Sequence, residues 1–561
     1  MKVTTPEEEV IATMKAAVGD YILESKIPRP RRVYIRIKSN ANKRAVSALL
    51  KAFPHAIIST ITGVDIGEDI EINYHFWCGK AEVTIRTEVP KSNPEIETIT
   101  DILPGAALYE REVHDLLGVK FTNHPSLTRL ILPESWPKES YPLRKDWNPK
   151  HVGDLNGSLE ETLIVGEIET ERNGGPLVNV VVGPQHPALH EPERFLFKLD
   201  GEIVVDVEPR LGYAHRGIEK AAEQLMFFQD VHLVERVCGI CNVAHTTCFC
   251  QAAEALGHIE VPPRALYLRT IVHELNRIHS HLLLLGIAGL EIGFESLFQY
   301  IWRDREIVLD LTEKLTGNRV MAEYSTIGGV RKDLTPALGN EIKRGLLKVK
   351  DRLNFYREVF QSDPTIELRT KDVGILSKEK ALKLCVVGPV ARGSGVKSDV
   401  RKHDPYAAYE DAPFQEILYK DGDSWARLMV RLDEVNESID IILWAIDNIP
   451  GGPYRTRVPR RMPEGEALSR VEAPRGELVH YVRGNGTAYP ERVKIRSPTL
   501  ANIISFREMI RGCYVADIPA VLVSLDPCFS CTDRMVFVDE KSGRRWVWSM
   551  KDLRDRRRIG K

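Results

Sequence analysis

Four of the nine cysteines stand in two Cys-x-x-Cys hooks, and these hooks are the residues most able to do chemistry. The first hook contains Cys238 and Cys241, and the second contains Cys528 and Cys531. Two intervening residues let both sulfurs of a hook point at one ion from a single turn, and thiolates suit soft or borderline metals. The spacing alone leaves open a structural zinc ion, a redox metal and no metal, although zinc hooks usually lie closer together in sequence.

The residues around the hooks are more specific than the hooks themselves. The first hook lies in a segment Arg-x-Cys-Gly-x-Cys-x-x-x-His that ends at His245. The second lies in a segment Asp-Pro-Cys-x-x-Cys-x-x-Arg that begins at Asp526 and ends at Arg534. In this order, the two segments resemble the signature motifs of nickel–iron hydrogenase large subunits.

The resemblance implies a metal centre and the ligand set that holds it. Nickel would take all four cysteines, with Cys238 and Cys528 as terminal ligands. Cys241 and Cys531 would bridge from nickel to an iron that carries carbon monoxide and cyanide. Many members of the family have a histidine near a magnesium ion where this chain has Arg534, which argues against magnesium here.

Four further residues match the family's functional positions. Arg475, in Glu-Ala-Pro-Arg-Gly-Glu, would overhang the open coordination site, where a permanently charged guanidinium polarises substrate. Glu191 would carry protons beside a nickel thiolate, with Glu193 as the runner-up. Asp526 would orient the arginine, and His245 would donate to a thiolate. Without the motifs, these four would be interpreted as a turn arginine, solvated acidic residues and a structural histidine.

The remaining cysteines and a group of histidines are interpreted as structural. The other thiols have no second cysteine at ligand spacing and are expected to be core residues. They are Cys78, Cys248, Cys250, Cys385 and Cys513. The histidines His273, His279 and His281 lie along one predicted helix and are assigned no chemistry.

Other segments are similar to subunits of respiratory complex I. The segments 211–220, 388–406 and 492–498 resemble the complex I subunit that descends from hydrogenases but has lost the cysteines. The segment 110–146 resembles the C subunit of complex I (the 30-kDa type). Fusion of such a domain to a cysteine-bearing large subunit is typical of group 4 hydrogenases of the formate hydrogenlyase, hydrogenase 3 and hydrogenase 4 type.

Patterning gives the elements that must position these residues. Alternation and β-branched content predict strands at 33–38, 57–61, 70–77 and 81–89, and periodicity predicts a helix at 105–118. After a polar stretch, strands are predicted at 178–182 and 195–205. Helices are predicted at 216–256, 262–292, 298–317, 334–361 and 424–448, and strands and loops over the last 130 or so residues.

The predicted fold class is therefore α+β, with a small N-terminal domain and a mainly helical second domain that has peripheral strands. The predicted divisions are a domain at 1–150, a linker at 151–176, the hydrogenase-like domain at 177–534 and an extension at 535–561. The first 30 or so residues give no clear prediction.

The resemblance also implies an activity and partners. The expected activity is reduction of protons to dihydrogen, and the alternative is a complex-I-like electron-transfer and coupling subunit without hydrogenase chemistry. Because the chain has no further cysteine set for an iron–sulfur cluster, electrons are expected from an iron–sulfur small subunit like the complex I B subunit. Further expected partners are a polyferredoxin-type subunit, antiporter-like membrane subunits, formate dehydrogenase or another electron donor, and a maturation protease.

Composition limits the surroundings in which the chain works. The net charge of −2 does not indicate a nucleic-acid partner. No apolar run is long enough for a membrane span, and MKVTTPEEEV has no signal core, so a cytoplasmic location is expected. The resemblance places the chain on the inner face of the membrane through its partners. It also implies that the basic extension after Arg534 is removed on maturation.

Overall fold

The computed structural model describes residues 5–132, 136–148, 169–172, 175–186, 189, 191–529, 537–538 and 545–546. Within these residues a small sheet domain precedes a larger, mainly helical one, and the predicted α+β class is confirmed. The proposed linker falls largely outside the described residues, so the predicted domain limits stay predictions.

The N-terminal domain is built on a five-stranded sheet. Its elements are α1 (Pro6–Val18), β1 (Ile22–Arg29), β2 (Arg32–Ile37), α2 (Asn42–Ala52), β3 (Ile57–Asp65), β4 (Asp69–Trp77), β5 (Glu82–Pro90), β6 (Glu95–Glu97), α3 (Ala107–Leu117) and β7 (Lys120–Thr122). The strand order is β1-β2-β5-β4-β3, with β2 and β5 parallel and the other neighbours antiparallel. A β-carbon at Gly63 would lie 2.2 Å from Cδ1 of Leu117, so glycine lets α3 pack closely on β3.

The described chain begins at Thr5 with a local helix-start signal. Thr5 and Glu8 form a reciprocal capping box at the beginning of α1. Val10, Met14 and Val18 then point from α1 into the core. The absence of a prediction for this segment reflects an overlooked cap, because Thr5-Pro6-Glu7-Glu8 is a typical helix start.

A second sheet opens the larger domain. It contains β8 (Glu169–Arg172), β9 (Gly175–Val182), β10 (Arg194–Asp200) and β11 (Ile203–Arg210), in the order β11-β10-β9-β8. The single strand predicted over 195–205 is wrong, because the chain reverses between β10 and β11. Gly201 makes this reversal possible with a φ of +58°, which other residues rarely adopt.

Helices form the body of the larger domain. They are α4 (Ile218–Ala222), α5 (Phe227–Glu235), α6 (Asn242–Gly257), α7 (Pro263–Glu291), α8 (Glu295–Thr316), α9 (Pro336–Ser362), α10 (Pro364–Thr370), α11 (Lys378–Lys383), α12 (Gly388–Gly393), α13 (Val400–His403) and α14 (Ser424–Asn448). A short hairpin, β12 (Ser325–Thr326) and β13 (Gly329–Val330), interrupts them. The long helix α7 packs against α8 and α14 and is buried over most of its length.

The predicted helix over 216–256 is wrong as one element, since the structure divides it into α4, α5 and α6. The break at 236–241 holds the first hook, whose cysteines need an irregular backbone to turn their sulfurs to the same side. The other four long predicted helices agree with α7, α8, α9 and α14 to within three residues at each end.

The C-terminal part contains the predicted strands, which form a sheet, and two helices that composition did not predict. The sheet is the antiparallel meander β14 (Gly465–Ala473), β15 (Gly476–Gly484) and β16 (Pro490–Arg496). The helices are α15 (Pro498–Ile510) and α16 (Ile518–Leu525), and two-residue strands follow at β17 (Phe537–Val538) and β18 (Arg545–Trp546). The prediction of only strands and loops here is wrong, because the Pro, Gly and Arg residues of this part flank apolar segments that form α15 and α16.

The N-terminal sheet is joined to the C-terminal meander by buried charged contacts. Arg86 of β5 contacts Glu466 of β14 at 2.6 Å. From β16, Arg496 donates through Nε to the carbonyl oxygen of Ser59 at 2.6 Å. Removal of one partner from such a pair leaves a buried charge, so these contacts fix one relative placement of the two domains.

Candidate metal centre

Two connections between helices bring the cysteine hooks together. The first hook lies between α5 and α6, and Cys241 occupies the N-cap position of α6. The second hook begins just after α16, where Asp526 takes the left-handed conformation with φ 59° and Pro527 prevents further helix. Each hook is thus held against the end of a helix.

Three of the four predicted ligands lie in the described residues and form one cluster. The side chains of Cys238, Cys241 and Cys528 are at most 1% exposed. The sulfurs of Cys238 and Cys528 lie 3.3 Å apart and form no disulfide. Cys531 lies outside the described residues, so its position as the fourth ligand stays a prediction.

The backbone around Cys238 favours the thiolate form. The N–H groups of Ile240 and Cys241 donate to its sulfur at 3.3 and 3.2 Å. The sulfur also lies near the N-terminal end of α6, whose dipole favours negative charge. Buried, converging sulfurs with donors to one of them are a donor set that suits a soft or borderline metal such as nickel.

Arg475 and Asp526 form a buried pair beside the cluster. Nη2 of Arg475 lies 2.8 Å from Oδ1 of Asp526, and its Nε donates to the carbonyl oxygen of Asp526 at 2.9 Å. Burial opposes the charge of Arg475, but Asp526 and the cysteine thiolates outweigh it and keep the pKa well above its usual range. Nη1 makes no hydrogen bond to any of the described residues, so one donor of a charged group remains for a ligand.

Glu191 reaches the second hook from the segment before β10. Its Oε1 lies 3.9 Å from the sulfur of Cys528, at the outer limit for a hydrogen bond from a thiol. Glu193 lies two residues further on, next to the start of β10, and is fully buried. The contact with Cys528 therefore favours Glu191 over Glu193 as the carboxylate that faces the cluster.

His245 is fully buried one turn into α6, and its ring forms a hydrogen bond with another histidine. Its Nδ1 lies 3.2 Å from Nε2 of His480 on β15. Burial lowers the pKa of His245 to about 4, so both rings are neutral near pH 7 and one donates to the other. The predicted bond from His245 to a thiolate is not among the described contacts, and that role stays a prediction.

Several residues of the centre were not singled out by sequence. Thr499 accepts the N–H of Cys528 through Oγ1 at 3.0 Å and so anchors the second hook to α15. Arg431 lies 3.8 Å from Oδ2 of Asp526 and supports the aspartate from α14. Neither residue belongs to a cysteine motif. Their contacts form only because α14 and α15 pack against the second hook in the folded chain.

The histidines and cysteines interpreted as structural lie within the packed interior or at its edge. His281 contacts Glu434 at 2.9 Å, and His273 lies 3.1 Å from the hydroxyl of Tyr409. Cys248, Cys250 and Cys385 are buried, and Cys78 and Cys513 are half-buried. His279 is buried with an Nδ1 that has no partner among the described residues.

Models of three protein families match successive parts of the chain. Residues 35–152 match the 30 Kd subunit of respiratory-chain NADH dehydrogenase. Residues 216–285, which include the first hook, match nickel-dependent hydrogenase. Residues 291–462 and 456–534 match the 49 Kd subunit of respiratory-chain NADH dehydrogenase.

Whole proteins similar to this chain divide between two named functions. Formate hydrogenlyase subunit 5 of Escherichia coli is 37% identical over 84% of this chain and 83% of its own length. Membrane-bound hydrogenase subunit alpha of Pyrococcus furiosus is 41% identical over 67% of this chain and 91% of its own length. The C/D subunit of NADH-quinone oxidoreductase from Phocaeicola vulgatus is 36% identical over 85% of this chain and 95% of its own length.

A solved structure shares the fold of the larger part of the chain. It comes from a membrane-bound sulfane sulfur reductase, an archaeal respiratory membrane complex. The match has a TM-score of 0.61 and 33% identity, and it covers 64% of this chain and 98% of the other. In the part of this chain that the structure describes, no helix is long and apolar enough to cross a membrane.

These matches define the class of protein first, as an oxidoreductase subunit related to respiratory complex I. The chain belongs to the family that unites fused C/D subunits with the large subunits of complex-I-related membrane hydrogenases, and the sequence-based prediction of this family is confirmed.

Proposed function

We propose that the chain is the catalytic large subunit of a membrane-associated, complex-I-related hydrogenase that joins two protons and two electrons into dihydrogen. The proposal is carried by the buried cysteine cluster, in which the sulfurs of Cys238 and Cys528 lie 3.3 Å apart. The nickel-dependent hydrogenase model, which matches the segment around the first hook, supports nickel as the metal.

In this proposal Cys238, Cys241, Cys528 and Cys531 would hold a nickel–iron group whose iron carries carbon monoxide and cyanide. The bound nickel–iron group supplies the site at which electrons and protons combine. The sulfurs are soft donors that hold a nickel ion more readily than a hard cation. Arg534, beyond the second hook, argues against a companion magnesium ion on the family pattern.

The surrounding residues would hold and move protons. Arg475 stays protonated and keeps its Nη1 for substrate, while Asp526 fixes the plane of its guanidinium through two contacts. Glu191, with Oε1 3.9 Å from the sulfur of Cys528, would pass protons between that sulfur and the outside. His245 and His480 pack behind the first hook and would support its placement.

Electrons must come from another chain, because the five cysteines outside the hooks do not form a four-thiolate set for a cluster. We assign this role to an iron–sulfur small subunit like the complex I B subunit, fed by a polyferredoxin-type subunit and by formate dehydrogenase or another donor. Antiporter-like membrane subunits would attach the chain to the inner face of the membrane.

The second candidate is an electron-transfer and coupling subunit without hydrogenase chemistry. Its support is the 36% identity to a subunit of NADH-quinone oxidoreductase and the 33% identity to a chain of a sulfane sulfur reductase complex. The presence of both cysteine hooks favours the hydrogenase, because four thiolates have no evident purpose in a subunit that holds no metal.

Metal analysis with a hydrogen assay tests the choice. The purified complex is analysed for nickel, iron and zinc and supplied with a reduced viologen dye as electron donor. About one nickel per chain together with dihydrogen evolution is expected. Equimolar zinc without nickel would support a structural zinc site, and a metal-free chain that evolves no dihydrogen would support the electron-transfer and coupling role.

A further inference from the structure

A cavity lies at the junction of the two domains, behind the cysteine hooks. Its volume is about 70 Å³. The N-terminal domain contributes Glu112 and Leu116 of α3, and the larger domain contributes Ile218, Val237 and Ser497. A water molecule needs about 10–15 Å³ of such space, so the cavity is large enough for several.

Two buried polar side chains on its wall, those of Ser497 and Glu112, each have an oxygen atom without a hydrogen-bond partner among the described residues. Ser497 is 3% exposed, and its hydroxyl makes no hydrogen bond to the described residues. It stands at the N-cap of α15, where a serine usually caps the helix, but here its side chain does not. Glu112 is 7% exposed, and its Oε2 also has no hydrogen-bond partner among the described residues.

Buried polar atoms without a protein partner usually bind ordered water. A serine hydroxyl and a carboxylate oxygen offer one donor and several acceptors, which is the set that a bridging water needs. Apolar side chains such as Leu116 and Ile218 line part of the wall, and the exposed Arg216 lines another part, so waters in the chamber can exchange with solvent. The wall therefore has the features of a hydrated chamber that is open to solvent.

The chamber borders the residue before the first hook and lies close to the support of the second hook. Val237 lies on its wall directly before Cys238, and Arg216 donates through Nη2 to the carbonyl oxygen of Val237 at 3.1 Å. Ser497 lies two residues before Thr499, which accepts the N–H of Cys528 at 3.0 Å. The same small volume thus lies next to the supports of the first and second hooks.

The charged groups that surround Glu112 come from β16 and α4. Lys494 of β16 donates to its Oε1 at 2.5 Å, and Arg492 of the same strand and Glu219 of α4 complete the cluster. Tyr109 lies on the same helix, and His215 and Arg216 line the cavity. Burial raises the pKa of Glu112 in spite of the lysine, which brings its titration nearer to neutral pH.

We propose that this cavity is a water-binding chamber held by Glu112 and Ser497, and that it passes protons from the domain junction to the hooks. Glu112 takes a proton from a chamber water that exchanges with solvent, and returns it to a chamber water on the side of the hooks. The water site stands on geometry alone, whereas the proton-passing role rests on the proposed hydrogenase function. The fused N-terminal domain would thus supply the proton-transferring carboxyl group of Glu112 to the metal-binding domain.

High-resolution cryo-electron microscopy of the intact wild-type complex tests the water site. We expect water density within hydrogen-bond distance of Ser497 Oγ and Glu112 Oε2. An empty cavity, or one filled by a side chain of another protein in the complex, would overturn the chamber. This result does not depend on whether the complex evolves dihydrogen, so failure of the proposed function is seen separately in the metal and hydrogen assays.

Paired variants test the role of the carboxyl group. Glu112→Gln is compared with Glu466→Gln, which breaks another largely buried interdomain ion pair, with Arg86, away from the cavity. Both should retain nickel. Groups that transfer protons directly contribute roughly 10²–10⁴-fold, so we expect Glu112→Gln to lower turnover by less than about 100-fold. The loss should grow with rising pH and carry a larger solvent isotope effect, and Glu466→Gln should show neither change.

Equal losses in both variants would mean that only domain docking matters, and they would overturn the proton-passing role. If Glu112→Gln loses its nickel, Ser497→Val becomes the test of proton transfer. This substitution fills part of the chamber and leaves the contact between Glu112 and Lys494 in place. We then expect the same pH-dependent loss with nickel retained. Unchanged turnover and isotope effect in Ser497→Val would refute the proposal.

Discussion

Arg475 holds Asp526 at two points, through a side-chain contact of 2.8 Å to Oδ1 and a hydrogen bond of 2.9 Å to the carbonyl oxygen. Because Asp526 lies two residues before Cys528, this pair ties an arginine of the meander to the backbone of the second hook. Its planar guanidinium is the feature that makes both contacts possible at once.

Arg475→Lys is predicted to slow dihydrogen evolution while nickel stays bound. Lysine keeps the charge but cannot contact both oxygens of Asp526 and still offer a directed N–H group. Loss of an oriented donor of this kind typically costs about 10²–10³-fold in rate. Turnover and nickel content are measured on the same preparation, and a wild-type rate would reduce Arg475 to a structural residue.

Glu191→Gln is predicted to lower turnover strongly without loss of metal. The amide keeps the shape of the side chain beside Cys528 but cannot carry a proton, and general acid–base groups contribute roughly 10²–10⁴-fold. Glu193→Gln is the matched control and is expected to keep nickel and most of the activity. If the two variants exchange behaviour, Glu193 is the proton carrier.

Asp230→Asn is predicted to stabilise the protein at alkaline pH. Asp230 of α5 is fully buried, its carboxylate oxygens have no hydrogen-bond partner among the described residues, and burial raises its pKa to about 8. Because this exceeds the unfolded value of about 4, stability falls by roughly 1.4 kcal/mol for each pH unit between these limits, as an upper bound. The variant should therefore melt higher than wild type at pH 8 and much like it near pH 4.

Thermal unfolding at the two pH values checks this prediction, with Asp115→Asn as the control. One oxygen of Asp115 accepts the backbone N–H groups of Leu130, Ile131 and Leu132 at 2.7–3.1 Å. This variant should be destabilised, because the amide group of asparagine cannot accept all three backbone hydrogen bonds as the carboxyl oxygen does. A Tm of Asp230→Asn that does not exceed wild type at pH 8 would show that the buried carboxyl has a partner in the native protein.

The C-terminal extension is predicted to be cut between Arg534 and Met535 in active enzyme. This prediction concerns a segment outside the described residues and follows from the family resemblance, in which a protease removes the extension after nickel insertion. The new C-terminus would then fold inward and close the site. Intact-mass measurement on active protein tests it, and active enzyme that still carries Lys561 would favour a permanent tail.

The cysteine hooks could be predicted from sequence because their chemistry is local. Two cysteines three positions apart converge whatever the rest of the fold does. The 3.3 Å contact between Cys238 and Cys528 could not be derived from spacing, since the two residues are 290 positions apart and meet only when the chain between them folds. Only the paired motifs, taken as a family resemblance, linked the two hooks in advance.

The missed residues are those whose role depends on tertiary packing. His480 has no motif and meets His245 only because β15 packs against α6. Arg431 belongs to a correctly predicted helix, yet which side of α14 faces Asp526 was not evident from its periodicity. Ser497 and Pro498 did carry a helix-start signal, and the composition of the surrounding segment concealed it.

Infrared spectroscopy of the purified enzyme tests the central claim most directly. Carbon monoxide and cyanide bound to iron absorb in a region where protein groups do not, so the account predicts their bands in wild type with nickel and iron present. Cys528→Ser replaces a soft thiolate by a hard hydroxyl and should lose nickel and dihydrogen evolution. Wild-type enzyme without these bands, or a serine variant with full nickel and normal turnover, would contradict the assignment.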